Sequence, residues 1–268
     1  MSVPKLPARH HLNPAHCSTA KPLAATIAAA WLASLSVSSA QSISIPNFSF
    51  ESPDVVIYGS FDQNGPNPPQ SPYGYGPATP WGTTVTNTNQ IGAFDNPAPN
   101  SPQGDHIDNV DGNQAAFMFS GNGISLYQDL AATFQLGKSY TLTIGAGGNE
   151  GLPVDAKLAL RFFYRDGSNA KITIGVQAIF DYDPLLDPSP INHLYDYSVS
   201  ISGVLPGDSW LGKNIGIEIS TPGSSGGLGA YWDIDNVRLM AIPEPSAALL
   251  LSFGLAATCW QRRRNRGA

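Results

Sequence analysis

The sequence predicts an all-β chain: a jelly-roll β-sandwich of about nine antiparallel strands, flanked by an N-terminal signal helix and a short C-terminal membrane helix. Three observations predict it. Short apolar runs rich in β-branched and aromatic residues alternate with turn residues through the middle of the chain. The 268 residues include 27 glycines and 23 prolines, which punctuate the chain too often for long helices. No run between the two ends carries a helical period.

Taken in order, residues 43–50 read as the first strand. Residues 59–80, rich in Pro, Gly and Asn, read as a loop too long for a hairpin turn, and loops of that length are commonly functional. Runs 115–119 and 124–130 flank Ser120-Gly121-Asn122-Gly123, which reads as a hairpin turn. Residues 140–144 alternate Tyr, Leu and Ile. Runs 157–165 and 171–180 flank Asp166-Gly167-Ser168-Asn169, a second hairpin signal. Runs 195–201, 214–219 and 232–240 complete the set, enough for two packed sheets.

Charge is scarce and unevenly placed. Charged residues make up 13% of the chain, against about 25% in typical domains. Seven of the 14 basic residues lie near the ends, whereas residues 41–240 hold 19 acids and 7 bases, a net charge of −12. Such a domain repels phosphate backbones, which excludes nucleic acid as a partner. It suits neutral ligands or divalent cations. The two cysteines, Cys17 and Cys259, both fall in the end segments, so no disulfide staples the domain between them.

Residues 1–40 read as a signal peptide. Lys5, Arg9 and Lys21 form a basic region, residues 23–37 an apolar run, and Ser38-Ser39-Ala40 a small-residue site for signal peptidase, with cleavage before Gln41. Residues 41–242 are the domain. Residues 243–268 carry Pro243-Glu244-Pro245, an apolar run over 247–260, and Arg262, Arg263, Arg264 and Arg266. As a helix that run of 14 residues would span about 21 Å, short of the ~30 Å hydrocarbon core. The three-part tail resembles the PEP-CTERM sorting signal. The resemblance implies recognition of Pro243, Glu244 and Pro245 by an exosortase-type enzyme, transient membrane insertion by the apolar run, and delivery to the envelope, surface or extracellular matrix of a Gram-negative-type bacterium.

Four landmarks in the middle of the chain are Asn47-Phe48-Ser49-Phe50-Glu51, Asp111-Gly112-Asn113-Gln114-Ala115, Gly137-Lys138-Ser139-Tyr140 and Asp235-Asn236-Val237-Arg238-Leu239. They resemble, in order, the galactose-binding-like β-sandwich domains that include carbohydrate-binding modules. The resemblance implies that the first and last strands approach each other and that Glu51, Asp235 and Asp111 hold a structural Ca²⁺, which needs several oxygen ligands. The alternative is that these acids hydrogen-bond turn backbone and hold no ion. Tyr73 and Tyr75 lie two apart between prolines, a spacing that in an extended segment puts both rings on one side to stack on a sugar.

Enzyme signatures are poor. Asp181 and Asp183 share a strand end, and Asp233 and Asp235 share a strand, but an acidic domain offers such pairs by composition alone. His106 lies beside Asp105 and Asp108 without a second histidine at metal-site spacing, and His193 stands alone. No nucleophile elbow, phosphate loop or paired-histidine zinc motif is present. The expectation is therefore a non-catalytic surface or matrix protein binding extracellular polysaccharide, with a purely structural envelope protein and a secreted hydrolase as alternatives.

Overall fold

The computed structural model describes residues 39–55, 73–85, 90–99, 106–121, 123–148, 152–183, 193–222 and 230–244. Twelve strands are described: β1 (Gln41–Ile43), β2 (Tyr73–Tyr75), β3 (Gly82–Thr83), β4 (Ile91–Asp95), β5 (Gln114–Phe119), β6 (Ile124–Thr133), β7 (Lys138–Gly148), β8 (Lys157–Arg165), β9 (Lys171–Asp181), β10 (Tyr195–Ile201), β11 (Asn214–Thr221) and β12 (Tyr231–Pro243). They form two antiparallel sheets. The larger runs β10-β7-β12-β5-β4-β2, with β1 also paired to β12, and the smaller runs β3-β6-β11-β8-β9. Among the described residues no helix is long and apolar enough to cross a membrane. The proposed signal peptide and most of the tail lie outside the described residues.

Alternation along each strand builds one shared core. Ile91, Met118, Leu142, Ile144, Trp232 and Ile234 come from the larger sheet; Leu126, Leu158, Phe162, Ile217 and Ile219 come from the smaller one. Phe134 sits at one end of this core with no exposed surface and meets the Tyr140, Phe162 and Trp210 rings edge-on at 5.0 to 6.3 Å. The longest strand, β12, is the spine. One edge pairs with β7 over nearly its whole length; the other pairs first with β5 and then with β1.

Three expectations about elements need correction. The run 43–50 is strand only to Ile43; residues 46–49 turn, and Asn47 and Phe50 take left-handed φ values of 51° and 55°. Pro46 and Asn47 explain this, since proline leaves the ladder without a donor and asparagine tolerates that region. The turn delivers Phe50 onto Trp81, ring centroids 5.3 Å apart, while the Trp81 indole N–H donates to the Asn47 carbonyl at 3.0 Å. Second, the segment after Phe119 does not make a hairpin. β5 belongs to the larger sheet and β6 to the smaller, so residues 120–123 carry the chain across the sandwich. The segment 166–169 does make one, with Arg165 opposite Lys171. Third, the long loop is interrupted by β2, which pairs with β4; residues 56–72 lie outside the described residues.

Gln114 ties the corner after the first turn to the larger sheet. Its buried side chain donates to the Phe50 and Pro53 carbonyls at 3.1 and 3.3 Å and accepts from the Val55 N–H. Gln114→Leu keeps the bulk and strands three backbone groups. It is expected to destabilise by about 1–3 kcal/mol, read as a lower urea midpoint at unchanged slope.

Candidate functional site

The two outer faces of the sandwich differ in what fills them. On the smaller sheet, Glu218 is 2% exposed and lies between Arg161 and Lys171, while Lys171 also sits 4.0 Å from the Tyr127 ring centroid. The Phe163 ring lies over Gly216, where a Cβ would come within 2.4 Å of it. Rings and compensated charges close that face.

The larger sheet is arranged otherwise. Alternation along β12 sends Trp232 and Ile234 into the core and Asp233 and Asp235 to the opposite face. Asp233 is opposite Phe117 on β5 and Gly147 on β7, and Asp235 is opposite Gly145. Both carboxylates are nonetheless buried, at 1% and 0% exposure. On one side of Asp233 stand Phe117, Phe119 and Tyr231, three rings in mutual edge contact with centroids 5.7 to 6.1 Å apart. On its other side β7 carries Gly145 and Gly147, and the Leu194 side chain packs over Gly145, 3.4 Å from where a Cβ would stand. The result is an acid between an aromatic wall and a strand of small residues.

A cleft of about 520 Å³ opens on the same face, lined by residues including Asn109, Asp111, Gly145, His193 and Arg238. That volume is in the range that holds a small organic ligand. Its rim is fixed by side chains. The Asn109 amide lies 2.8 Å from His193 Nε2, Arg238 pairs with Asp196, and Leu194 packs with Ile107, Phe94 and Val110. His193, alone in sequence, thus has a partner 84 residues away. His106 lies 3.2 Å from Asp108.

Between Asp235 and Arg238 the register with β7 slips, so that Asn236 and Val237 face a single residue, and Asn236 takes φ 52°. Next to the bulge, Asp235 Oδ2 accepts the Asp111 N–H. Oδ1 has no hydrogen-bond partner among the described residues. Burial, followed by the like charges of Asp111 and Glu51, pushes the Asp235 carboxyl up to about 8, against the pull of two backbone N–H groups. Glu51 accepts the Asn113 and Gln114 N–H groups at 2.9 and 2.8 Å, and Gly112 stands so close that a Cβ would lie 2.4 Å from its carboxylate. Asp95 is raised too, by burial and then by Asp54 and Glu51. The structure thus brings Glu51, Asp111 and Asp235 into one electrostatic cluster, while among the described residues no three His, Cys, Asp or Glu side chains converge as a ready metal cage.

Tyr73 and Tyr75 occupy β2, at backbone positions opposite Phe94 and Gly92. By register the row runs Tyr75, Gly92, Phe117, Asp233, Gly147 across four adjacent strand pairs. Glu244 of the Pro-Glu-Pro segment is paired to the domain, and Pro245 lies outside the described residues.

A family model described as HpiC1-like, HpiC1 cyclase, matches residues 41–240. A crystal structure of a cyclase from Fischerella sp. TAU superposes with a TM-score of 0.53 at 22% identity, covering 78% of this chain and 100% of that one. A Stig cyclase from Fischerella sp. TAU in complex with (3Z)-3-(1-methyl-2-pyrrolidinylidene)-3H-indole gives 0.50 at 24% identity, with 77% and 100% covered. A cyclase from the same source in complex with 4-(1H-indol-3-yl)butan-2-one gives 0.50 at 23% identity, again with 77% and 100% covered. Carbohydrate-binding modules also match, at TM-scores of 0.32 to 0.38. No curated protein matches the chain by sequence.

The family match overturns the expectation of a non-catalytic surface protein, and with it the expectation that the chain is not an enzyme. The physical reason is visible in the site. Catalytic motifs legible in sequence are contiguous, whereas here the aromatic wall, the glycines and the acid come from β5, β7 and β12. In sequence the Asp233–Asp235 pair reads as compositional, because an acidic domain offers such pairs anywhere; burial at 1% and 0% exposure is what sets it apart. The available signal is their company: Trp-Asp-Ile-Asp interleaves the two acids with the core residues Trp232 and Ile234.

Proposed function

Because the chain belongs to the HpiC1-like cyclase family, we propose that it is an acid-assisted cyclase acting on an apolar, indole-like aromatic substrate at the outer face of its larger sheet. One observation carries this reading: the buried Asp233, set between the Phe117–Phe119–Tyr231 wall and the Gly145–Gly147 stretch of β7. The indole ligands of the Fischerella cyclases support the substrate class. Gly147 adds no side chain of its own beside Asp233, and the cleft on the same face, lined by Gly145 and Leu194 among others, gives a flat ring room.

The chemistry asks one group to give and take a proton. Asp233, protonated, donates to an unsaturated carbon of the substrate. The cation so formed lies against aromatic faces, an interaction worth about 0.5–2 kcal/mol. A second π-bond of the same molecule attacks it, a carbon–carbon bond closes the ring, and a ring proton returns to the Asp233 carboxylate. Substrate and product are isomers, so no co-reactant is consumed. The test is incubation of the chain with a panel of alkenyl indoles. The expected result is a product of unchanged mass, shifted retention and fewer olefinic proton signals; a panel returned unchanged would sink the reading.

We also propose that the carboxylate cluster at the bulge holds a structural Ca²⁺. The orphaned Asp235 Oδ1 and the raising of the Asp235 carboxyl, by burial and then by the Asp111 and Glu51 charges, fit a cation that would relieve both. Asp235 and Glu51 would ligate it with Asp111 beside them, and calcium's tolerance for carbonyl and water oxygens supplies what three converging side chains do not. Its role there is to brace the corner beneath the cleft.

For the ends, we propose removal of residues 1–40 by signal peptidase and exosortase-type processing at Pro243-Glu244-Pro245, placing the enzyme in the cell envelope or outside it. The supports are the small-residue site before Gln41 and the three-part tail. Intact-mass measurement of exported protein is expected to show a chain beginning at Gln41 and lacking Arg262 to Arg266.

A further inference from the structure

β12 does not end in a free linker. Pro243 is still paired with Lys138, the Glu244 N–H donates to the Gly137 carbonyl at 2.9 Å, and Glu244 Oε1 accepts the Gly203 N–H at 2.6 Å. Gly203 makes room for that carboxylate: a Cβ there would lie 2.4 Å from it. Glu244, the last of the described residues, is therefore anchored to the domain. The apolar run begins at Ala247, with only Pro245 and Ser246 between. Three residue steps reach at most about 10 Å.

The groups that hold Glu244 are flanked by exposed aliphatic side chains. Leu136, next to Gly137, is 57% exposed; Leu205, two residues past Gly203, is 62% exposed; Ile242 is 42% exposed. Leu136 bridges to Val204, so the two leucine-bearing tips are neighbours. Lys138 adds a cation beside them, and the acids at this end, Glu244 and Asp208, are both engaged by backbone N–H groups. Exposed leucines at paired loop tips beside a lysine match the chemistry of a bilayer interface, where aliphatic tips enter the acyl boundary and a lysine meets phosphate.

We propose that this end of the domain, with Leu136 and Leu205 at its tips, docks on a lipid bilayer surface. The inference rests on reading residues 247–260 as a membrane segment. If that run starts at the hydrocarbon boundary, a reach of about 10 Å holds Glu244 within or just outside a headgroup layer about 5–8 Å deep. Leu136 and Leu205, exposed beside the groups that hold Glu244, then lie within reach of that layer. The clamp on Glu244 fixes not only proximity but which end of the sandwich faces the lipid.

The test uses the chain from Gln41 to Ala268, without the apolar run at 23–37, with Cys259→Ser and carrying one new cysteine at a time: Leu136→Cys, Leu205→Cys or, as a reference, Val154→Cys. Val154 is 71% exposed and lies beyond the opposite end of β7. Each is labelled with an environment-sensitive dye and mixed with vesicles of phosphatidylethanolamine and phosphatidylglycerol bearing a nitroxide lipid. The expected result is a blue shift and strong quenching at 136 and 205, with neither at 154. Chain that sediments with the vesicles while 136 and 205 behave like 154 overturns the docking and leaves the tail reading standing. Chain that stays in the supernatant overturns the tail reading, and the docking with it.

Discussion

Asp233→Asn is expected to lower the rate of ring closure by about 10²–10⁴-fold while leaving the fold intact. Asparagine matches aspartate in size, so the buried site keeps its packing and loses only the proton it can give. The measurement is single-turnover product formation, paired with a melting curve. Because the group acts in the chemical step, the loss falls on kcat and kcat/KM alike. Phe117→Leu, by contrast, keeps the acid and removes a ring from the wall, and a smaller loss is expected from it. A variant Asp233→Asn that turns over at the wild-type rate would remove the acid from the mechanism and return attention to Asp235.

Removing calcium is expected to lower the melting temperature, and by an amount that depends on pH. A site saturated a hundredfold above its dissociation constant contributes about 2.7 kcal/mol. The pH dependence follows from Asp235, whose carboxyl is pushed up to about 8 chiefly by burial. In the unfolded chain the same group titrates near 4. Between these values the native protein in chelator holds a proton that the unfolded chain has released, so stability falls as pH rises, by up to about 1.4 kcal/mol per pH unit. Calcium displaces that proton, so the stabilisation it confers should grow across the same window. Asp235→Asn is expected to flatten the slope in chelator, and Glu51→Ala to erase the calcium shift. Identical melting curves with and without chelator at every pH would remove the ion from the account.

How far the sequence reaches differs from element to element. β8 and β10 have the bounds that the sequence predicts, β10 by clean alternation and β8 as an apolar run that stops at the strong turn chemistry of 166–169. The hairpin at 166–169 was equally legible: Asp166 Oδ1 accepts the Ser168 and Ala170 N–H groups at 2.9 Å, a local contact that needs no tertiary information. The segment 120–123 carries similar residues and does something else, since turn chemistry specifies a reversal and not the sheet to which each arm belongs. β2, β3 and β4 were missed because glycine and proline dilute their pattern, and they are strands through pairing with β4, β6 and β5. Glu51, Asp111 and Asp235 could be named in advance only through resemblance; what no pattern shows is that Asp235 lies fully buried, with its Oδ2 on the Asp111 N–H. Asp233 was in plain view, but its meaning lies in its burial.

The spine position of β12 has a kinetic consequence. It pairs with β1, β5 and β7, whose partner residues precede its own by 84 to 200 positions, and it is the last strand described. Loop-closure entropy makes such distant pairings slow, so the larger sheet cannot consolidate until synthesis has passed residue 243. Until then the growing chain holds β5 and β7 with no strand between them. The proton donor arrives on the same strand that completes the sheet. Assembly of the catalytic face and completion of the fold are therefore one event, and a nascent chain stopped short of β12 has no partly working form.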